Sequence, residues 1–385
     1  MDDNMQNCKP IPGSIIFNSL ANQECIVMAC NLRITKGVAR GIFRAAKDLD
    51  APVLFEIARS ESDLNRGYTG MTPADYSKNI GEAAEEVGFD IWALHADHIG
   101  VKKGDQEDIE ETKELVQAQI DAGFTSFAID ASHLFNFDGK TVEEELAPNI
   151  KATIEIARFI KENKEGEFGF EVEVGEIGRK DDKGMILTTP EEAVAFVKAL
   201  NEADMNPQIL ATSNGSAHGN RYDDDGNLIE QISIDIKRTK EIVQALKDNN
   251  LNVRIAQHGI TGTPRELIHE KFPHGDIIKG NVGTFWQNLF FDVLKNREPE
   301  LYKKMYEWTI STFKEDAEKK GLKNNDQIFG IFGKKSIKQY FDEIYSISDE
   351  TEKEIEEKSY EEAKEFFKAF KSENMAAIVR EELNR

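Results

Sequence analysis

The stretch Phe89-Asp90-Ile91-Trp92-Ala93-Leu94-His95-Ala96-Asp97-His98-Ile99-Gly100 decides how this chain is read. Phe89 to Leu94 is apolar apart from one aspartate. A run that short, bounded by polar and glycine residues, reads as a buried strand rather than a helix. It leads directly into two imidazoles and a carboxylate. At the end of a buried strand such side chains reach a pocket while the strand holds their backbone still. Taken alone, the segment fits a packed core histidine and a helix-capping aspartate equally well. The placement of the other histidines decides between the two.

Outward from this segment, strand and helix patterns alternate in both directions. Strands are expected over 24–30, 52–58, 89–94, 126–129, 168–174, 208–212, 253–256 and 277–279. Helices are expected over 35–49, 73–87, 106–122, 142–163, 190–202, 234–249, 264–271 and 285–295, with Thr72 and Thr189 as caps before Pro73 and Pro190. Eight strand-helix units in about 275 residues fit an α/β fold of the (β/α)8 TIM barrel type, spanning 24–299. A doubly wound sheet is the alternative, but its glycine-rich dinucleotide loop is missing. Residues 1–23 form an N-terminal lead. Residues 300–385 form a charged, helical C-terminal extension, expected to pack on the barrel or on another subunit.

The 385 residues carry 39% hydrophobic side chains and a net charge of -23, enough for a core and too acidic for nucleic acid or anionic membranes as partners. No apolar stretch approaches the roughly 20 residues of a membrane span, and the acidic start does not resemble a signal peptide. Cys8, Cys25 and Cys30 lack metal-type pairing and read as reduced thiols of a cytoplasmic protein. The expected partners are a small substrate and further copies of the chain, as a dimer or larger homo-oligomer.

In a (β/α)8 barrel the chemistry sits where strands end. The expected ends carry, in order, Asn31; Arg59 and Ser60; His95, Asp97 and His98; Asp130, Ser132 and His133; Glu171, Glu173 and the loop through Asp181 and Asp182; Asn214 to Gly219; Gln257 to Thr263; and Gly280 to Thr284. Five of the seven histidines fall at these ends, and only His269 and His274 do not. Imidazoles brought together from three strands, with room for substrate, make an open zinc-type site. His218 and His258 are each followed by glycine, which leaves a bare amide beside the imidazole. Gly262-Thr263 and Gly283-Thr284 offer amides and hydroxyls at helix starts, where the dipole favours an anion such as phosphate.

In this order the motifs His-x-Asp-His, Asp-x-Ser, Glu-x-Glu-x-Gly, His-Gly, His-Gly and Gly-Asn-x-x-Thr resemble the class II, metal-dependent fructose-bisphosphate aldolases and related ketose-bisphosphate aldolases, over roughly residues 24–297. The resemblance implies His98, His218 and His258 as ligands of one catalytic zinc ion, with Glu173 and Asp130 as outer or alternative metal contacts. It implies Asp97 as general acid/base and Asn281 as a residue holding the ketose or its enediolate. Asn31, Gly219, Gly259, Thr261, Thr263 and Thr284 would lie in or near the triose-phosphate pocket, Gly283 among them. Carbonyls around Ala217, Gly219 and Gly259 would bind a monovalent cation. The loop Gly178-Arg179-Lys180-Asp181-Asp182 and the segment Ala58-Arg59-Ser60 depart from the family's usual pattern.

The reaction implied is reversible cleavage of a ketose 1,6-bisphosphate, fructose 1,6-bisphosphate first, to dihydroxyacetone phosphate and glyceraldehyde 3-phosphate. Asp97 would take the proton from the C4 hydroxyl, and Asp181 or Asp182 would exchange the proton on the triose. Lys279 is expected to touch a phosphate or to pack. The far phosphate needs a cation, for which Arg59 and Arg179 are placed, set against surface pairing of Arg59 with Glu61 and of Arg179 with Asp181. The alternatives are a zinc lyase or isomerase on another sugar, such as tagatose bisphosphate, and a non-catalytic accessory subunit.

Overall fold

The short runs rich in Val, Ile, Ala and Phe are buried along nearly their whole length because both faces are covered, as in all-parallel sheets. The computed structural model describes residues 8–384 except 176–179, 182–183, 217–218, 223–227 and 231, and does not describe the side chains of Lys180 and Asp181. Helix α1 (Gly13–Ser19) comes first. The strands β1 (Val27–Asn31), β2 (Val53–Ala58), β3 (Trp92–Gly100), β4 (Ser126–Asp130) and β5 (Gly169–Glu173) follow. A two-stranded hairpin, β6 (Lys180–Asp181) and β7 (Gly184–Met185), precedes β8 (Ile209–Ala211), β9 (Arg254–Gln257) and β10 (Ile277–Val282). The eight longer strands close into one parallel barrel in the order β1-β10-β9-β8-β5-β4-β3-β2. Between and after them run α2 (Val38–Leu49), α3 (Pro73–Val87), α4 (Gln106–Asp121), α5 (Val142–Asn163), α6 (Pro190–Glu202), α7 (Ile236–Asp248), α8 (Arg265–Lys271) and α9 (Thr284–Arg297). The chain is a (β/α)8 TIM barrel.

Local chemistry places the helices. Thr72 and Thr189 each close a reciprocal capping box, with Asp75 and Glu192, ahead of a first-turn proline. Each cap contributes about 1 kcal/mol. Phe43 on α2 packs on Phe55 of β2 at 4.4 Å between ring centroids and edge-on to Trp92 of β3 at 5.4 Å. Such pairs add about 0.5–1.5 kcal/mol to their area burial.

Two segments depart most from the sequence expectation. The lead contains α1, which packs on the starting residues of the barrel strands. Ile11 and Gly13 donate to the carbonyls of Trp92 and Thr125, and Arg254 reaches the carbonyls of Phe17 and Leu20. Strand β3 runs six residues past Leu94, through the whole histidine motif. Polar residues continue the strand because β2 pairs with it to Asp97 and β4 to Gly100. Its register on β4 shifts between Ala96 and Ile99, and His98 there has a φ of 40°.

The extension comprises α10 (Pro299–Thr312), α11 (Lys314–Lys319), α12 (Asn325–Phe332), α13 (Ser336–Gln339), α14 (Phe341–Tyr345), α15 (Asp349–Ala369) and α16 (Met375–Leu383). It packs on its own barrel. Gly41 of α2 lets α15 approach so closely that a Cβ there would stand 2.3 Å from the Glu356 carbonyl oxygen. Arg40 bonds Glu352 and Glu356 across the same seam, and Phe366 packs edge-on to Phe285 and tilted against Trp286 of α9. Among the described residues no helix is long and apolar enough to cross a membrane.

Candidate active site

Side chains two apart on a strand share a face, so His95 and Asp97 of β3, Glu171 and Glu173 of β5, and Lys279 and Asn281 of β10 all point into the barrel. By that rule His98 would point away from Asp97. The register shift and the left-handed backbone at His98 turn its ring inward as well, a typical use of a bulge beside a site. Its Nε2 lies 3.1 Å from His258 Nδ1 and 3.9 Å from Asp97 Oδ2.

The outward nitrogens of both rings meet carboxylates. His98 Nδ1 is 3.1 Å from Asp130 Oδ2 and 3.1 Å from Glu173 Oε2, and His258 Nε2 is 3.4 Å from Glu171 Oε1. Donation to these acceptors turns the two inner nitrogens, His98 Nε2 and His258 Nδ1, towards each other at 3.1 Å. A proton or a metal cation must stand between them. Burial works against charge on His98, but Asp97 and Glu173 outweigh it and raise its pKa well above the ordinary imidazole value. Burial above all lowers that of His258. Ligand nitrogens about 2.0–2.1 Å from a tetrahedral zinc stand about 3.3 Å from each other, close to this spacing. The residues present therefore fit a divalent cation. His218 and Asp182 lie outside the described residues, as do Ala217, Arg179 and the Asp181 side chain.

Asp97 is buried, which opposes its charge, yet His98, Lys279 and His258 hold its pKa down to about 2. It is a carboxylate at neutral pH. Asn281 donates through Nδ2 to Glu56 at 2.9 Å and to Asp97 at 3.4 Å, leaving its buried Oδ1 without a partner among the described residues. Asn31 likewise keeps an unpartnered Oδ1. Glu173 and Glu56 are each pushed up to about 8, by burial and by neighbouring Asp130 and Asp97 respectively.

A cavity of about 80 Å³ opens over these groups, lined by Asn31, Arg33, Asp97, His98, His258 and Asn281, among others. Gly219, Gly259 and Thr261 also line it, as do Gly283 and Thr284 at the start of α9. Thr263 lies outside it, in the wall of a larger cavity of about 820 Å³ that shares Gly219 and Thr261. Ser60 is exposed and outside it. Arg59 is not brought to the cavity either. Its guanidinium bonds the Gly100 carbonyl at 2.6 Å and Thr112 at 2.8 Å, with Asp108 and Glu111 at 3.7 and 3.4 Å. It ties the end of β3 to α4.

The expected Arg59–Glu61 pair gives way to Arg33–Glu61. Arg33 donates to Glu61 at 2.9 Å, to Gln287 at 2.9 Å and to Thr284 at 3.2 Å. Glu61 also accepts from Asn31 at 2.6 Å, the Ala58 amide at 2.9 Å and Tyr68 at 2.7 Å. Sequence reasoning missed Arg33 because it stands two residues past its strand, with no motif around it. Lys279 is no phosphate contact: it is wholly buried, 2.7 Å from Glu171 and 3.0 Å from Glu56. His269 and His274 contact the carbonyls of Lys368 and Ala369, beside the extension.

The family model described as Fructose-bisphosphate aldolase class-II matches residues 14–375. The chain belongs to that family. The match takes in most of the extension, where the motif resemblance stopped near residue 297. A fructose-bisphosphate aldolase of Corynebacterium glutamicum is 25% identical over 217 residues, 54% of this chain and 59% of that protein. The D-tagatose-1,6-bisphosphate aldolase subunit GatZ of Escherichia coli O157:H7 is 38% identical over 86 residues, 21% of this chain and 20% of that protein. The chain thus spans less than two thirds of the length of these curated relatives. In fold it is similar to the fructose-bisphosphate aldolase of Campylobacter jejuni (TM-score 0.60, 19% identity, 95% of this chain and 97% of that one). It is likewise similar to the YdjI aldolase of Escherichia coli K12 (TM-score 0.57, 18% identity, 94% and 97%).

Proposed function

We propose that this chain is a zinc-dependent carbon-carbon lyase that cleaves fructose 1,6-bisphosphate reversibly to dihydroxyacetone phosphate and glyceraldehyde 3-phosphate. One observation carries the reading: two imidazole nitrogens aimed at each other at 3.1 Å beside an ionised Asp97. His98 and His258, with His218, would hold the cation, and Asp130 and Glu173 orient His98. When bound, a divalent ion supplies Lewis-acid stabilisation of negative charge on the sugar oxygens, several kcal/mol.

The remaining roles fall to the chain. Asp97 accepts the C4 hydroxyl proton as the C3–C4 bond breaks and its electron pair moves to C3 and the C2 carbonyl. Asn281, with its free carbonyl oxygen, accepts a hydrogen bond from a sugar hydroxyl. Asp181 or Asp182 returns a proton to the triose carbon. Gly283 and Thr284 at the start of α9, with Gly259 after β9, bind one phosphate, where amides and the helix dipole favour an anion. Arg33 at the cavity wall supplies the cation near the other, in place of Arg59. An imine route through Lys279 needs a neutral amine. Burial alone would favour that form, but Glu171, Glu56 and Asp97 raise its pKa and keep it an ammonium.

A second reading has support from the GatZ stretch: a ketose bisphosphate of tagatose configuration as substrate, or a subunit that assists a partner aldolase. Assay of the purified chain for triose release from both sugars, with and without a chelator, tests all three. Metal-dependent release from fructose 1,6-bisphosphate supports the proposal; no release from either sugar removes it. Cytoplasmic location and a homo-oligomeric state belong to the same reading.

A further inference from the structure

Lys279 is wholly buried in the middle of the barrel. Stripping an ammonium of water costs several kcal/mol unless charges and hydrogen bonds compensate it. Four groups surround Nζ: Glu171 Oε2 at 2.7 Å, Glu56 Oε2 at 3.0 Å, His95 Nε2 at 3.1 Å and Asp97 Oδ1 at 3.6 Å. His95 is itself held by Ser126 Oγ at 2.7 Å through its other nitrogen. A barrel layer normally filled by branched apolar side chains is a charge cluster here. The reaction proposed above does not use Lys279, and no part of that ammonium lines the cavity.

Two of these carboxylates have an inner and an outer oxygen. Glu171 gives Oε2 to Lys279 and Oε1 to His258 Nε2, 3.4 Å away. Asp97 turns Oδ1 towards Lys279 and Oδ2 towards His98. One ammonium therefore touches two of the four carboxyl groups around the imidazole pair. We propose that Lys279 is a positioning residue for the metal centre. By gripping the inner oxygens of Glu171 and Asp97 it directs the outer oxygen of Glu171 to His258 Nε2, so that Nδ1 is the nitrogen presented to the cation. This rests on the reading that a divalent ion binds at His98 and His258. A lysine that only balances charge in the core would contribute to stability and leave metal affinity alone.

The test uses the full chain stripped of metal, with Zn2+ or Co2+ alone as probe. Affinity is read by competition with a chelator, and ligand geometry by the Co2+ absorption spectrum. Lys279→Met keeps most of the length and removes the charge. It is expected to weaken binding about 10- to 100-fold, the usual effect of losing an outer contact to a ligand, and to alter the Co2+ spectrum. Glu171→Gln should do the same, and the double variant should be little worse than the weaker single one, since both act through His258. Lys279→Met binding within about threefold of the parent, with an unchanged spectrum, overturns the inference even where the melting temperature falls. Should Lys279→Met not fold, Glu171→Gln carries the test alone, and parent-like affinity in it overturns the inference. A parent chain that binds neither ion overturns the metal reading and this inference together. Parent binding with unaffected variants overturns this inference only.

Discussion

His98 Nε2 and His258 Nδ1 stand 3.1 Å apart, while their outer nitrogens rest on Asp130 and Glu173 and on Glu171. A divalent cation held by both rings would be bound by the folded chain alone. Added Zn2+ is therefore expected to raise the melting temperature, by about 2.7 kcal/mol of stabilisation at a hundredfold excess over Kd. His258→Ala should lose most of the bound metal by elemental analysis while keeping its far-ultraviolet circular dichroism. Full metal content in that variant would remove His258 from the ligand set.

Asp97 sits beside a ligand without needing to be one. Asp97→Asn keeps the size and the hydrogen bond from Asn281 but cannot accept a proton. Metal content should stay near that of the parent while kcat falls about 100- to 10,000-fold, the range for a positioned acid or base. A loss in kcat of less than about tenfold would assign the proton to another group.

Arg33 and Arg59 separate a substrate contact from a structural tie. Arg33→Ala is expected to raise KM for the bisphosphate about tenfold or more, equivalent to about 1.4 kcal/mol, and to affect a monophosphorylated ketose less. Arg59→Ala should cost stability and leave both KM values within about twofold, because its bonds go to Gly100, Thr112 and α4. The reverse pattern in steady-state kinetics would exchange their roles.

Glu56 gives a pH signature. Burial and Asp97 push its pKa from 4.5 up to about 8, so the folded state keeps a proton that the unfolded chain releases. That contribution is fully present below pH 4.5 and is lost as pH rises to about 8. The metal-free parent should therefore lose stability across this window, and Glu56→Gln should flatten part of the slope. Superimposable melting-temperature profiles for the two proteins would show that Glu56 does not hold the proton.

The alternation of short buried runs with capped amphipathic segments makes the barrel legible in the chain itself. Thr72-Pro73 and Thr189-Pro190 mark helix starts through chemistry local to four residues, and the structure caps both there. The end of β3 was not legible. A strand carrying His95, Asp97 and His98 is stable only because β2 and β4 pair with it and the barrel interior compensates its charges. Arg59 misled for a related reason. Its position past β2 suggested the pocket, whereas its partners, Gly100 and Thr112, come from the next strand and helix.

The sequence by itself determined the elements, their order and the residue types able to bind a metal and move a proton, because those follow from local periodicity, capping and side-chain chemistry. Only the tertiary structure decided which side chains meet. His98 faces His258 across 160 residues of chain because a register shift on β4 turns its ring inward. Glu61 chose Arg33 over Arg59, and Lys279 became the counter-charge of Glu171 and Asp97, with Glu56 beside it, rather than a phosphate contact. Such partnerships depend on distances between strands that are far apart in sequence, and the closure of the barrel sets those distances.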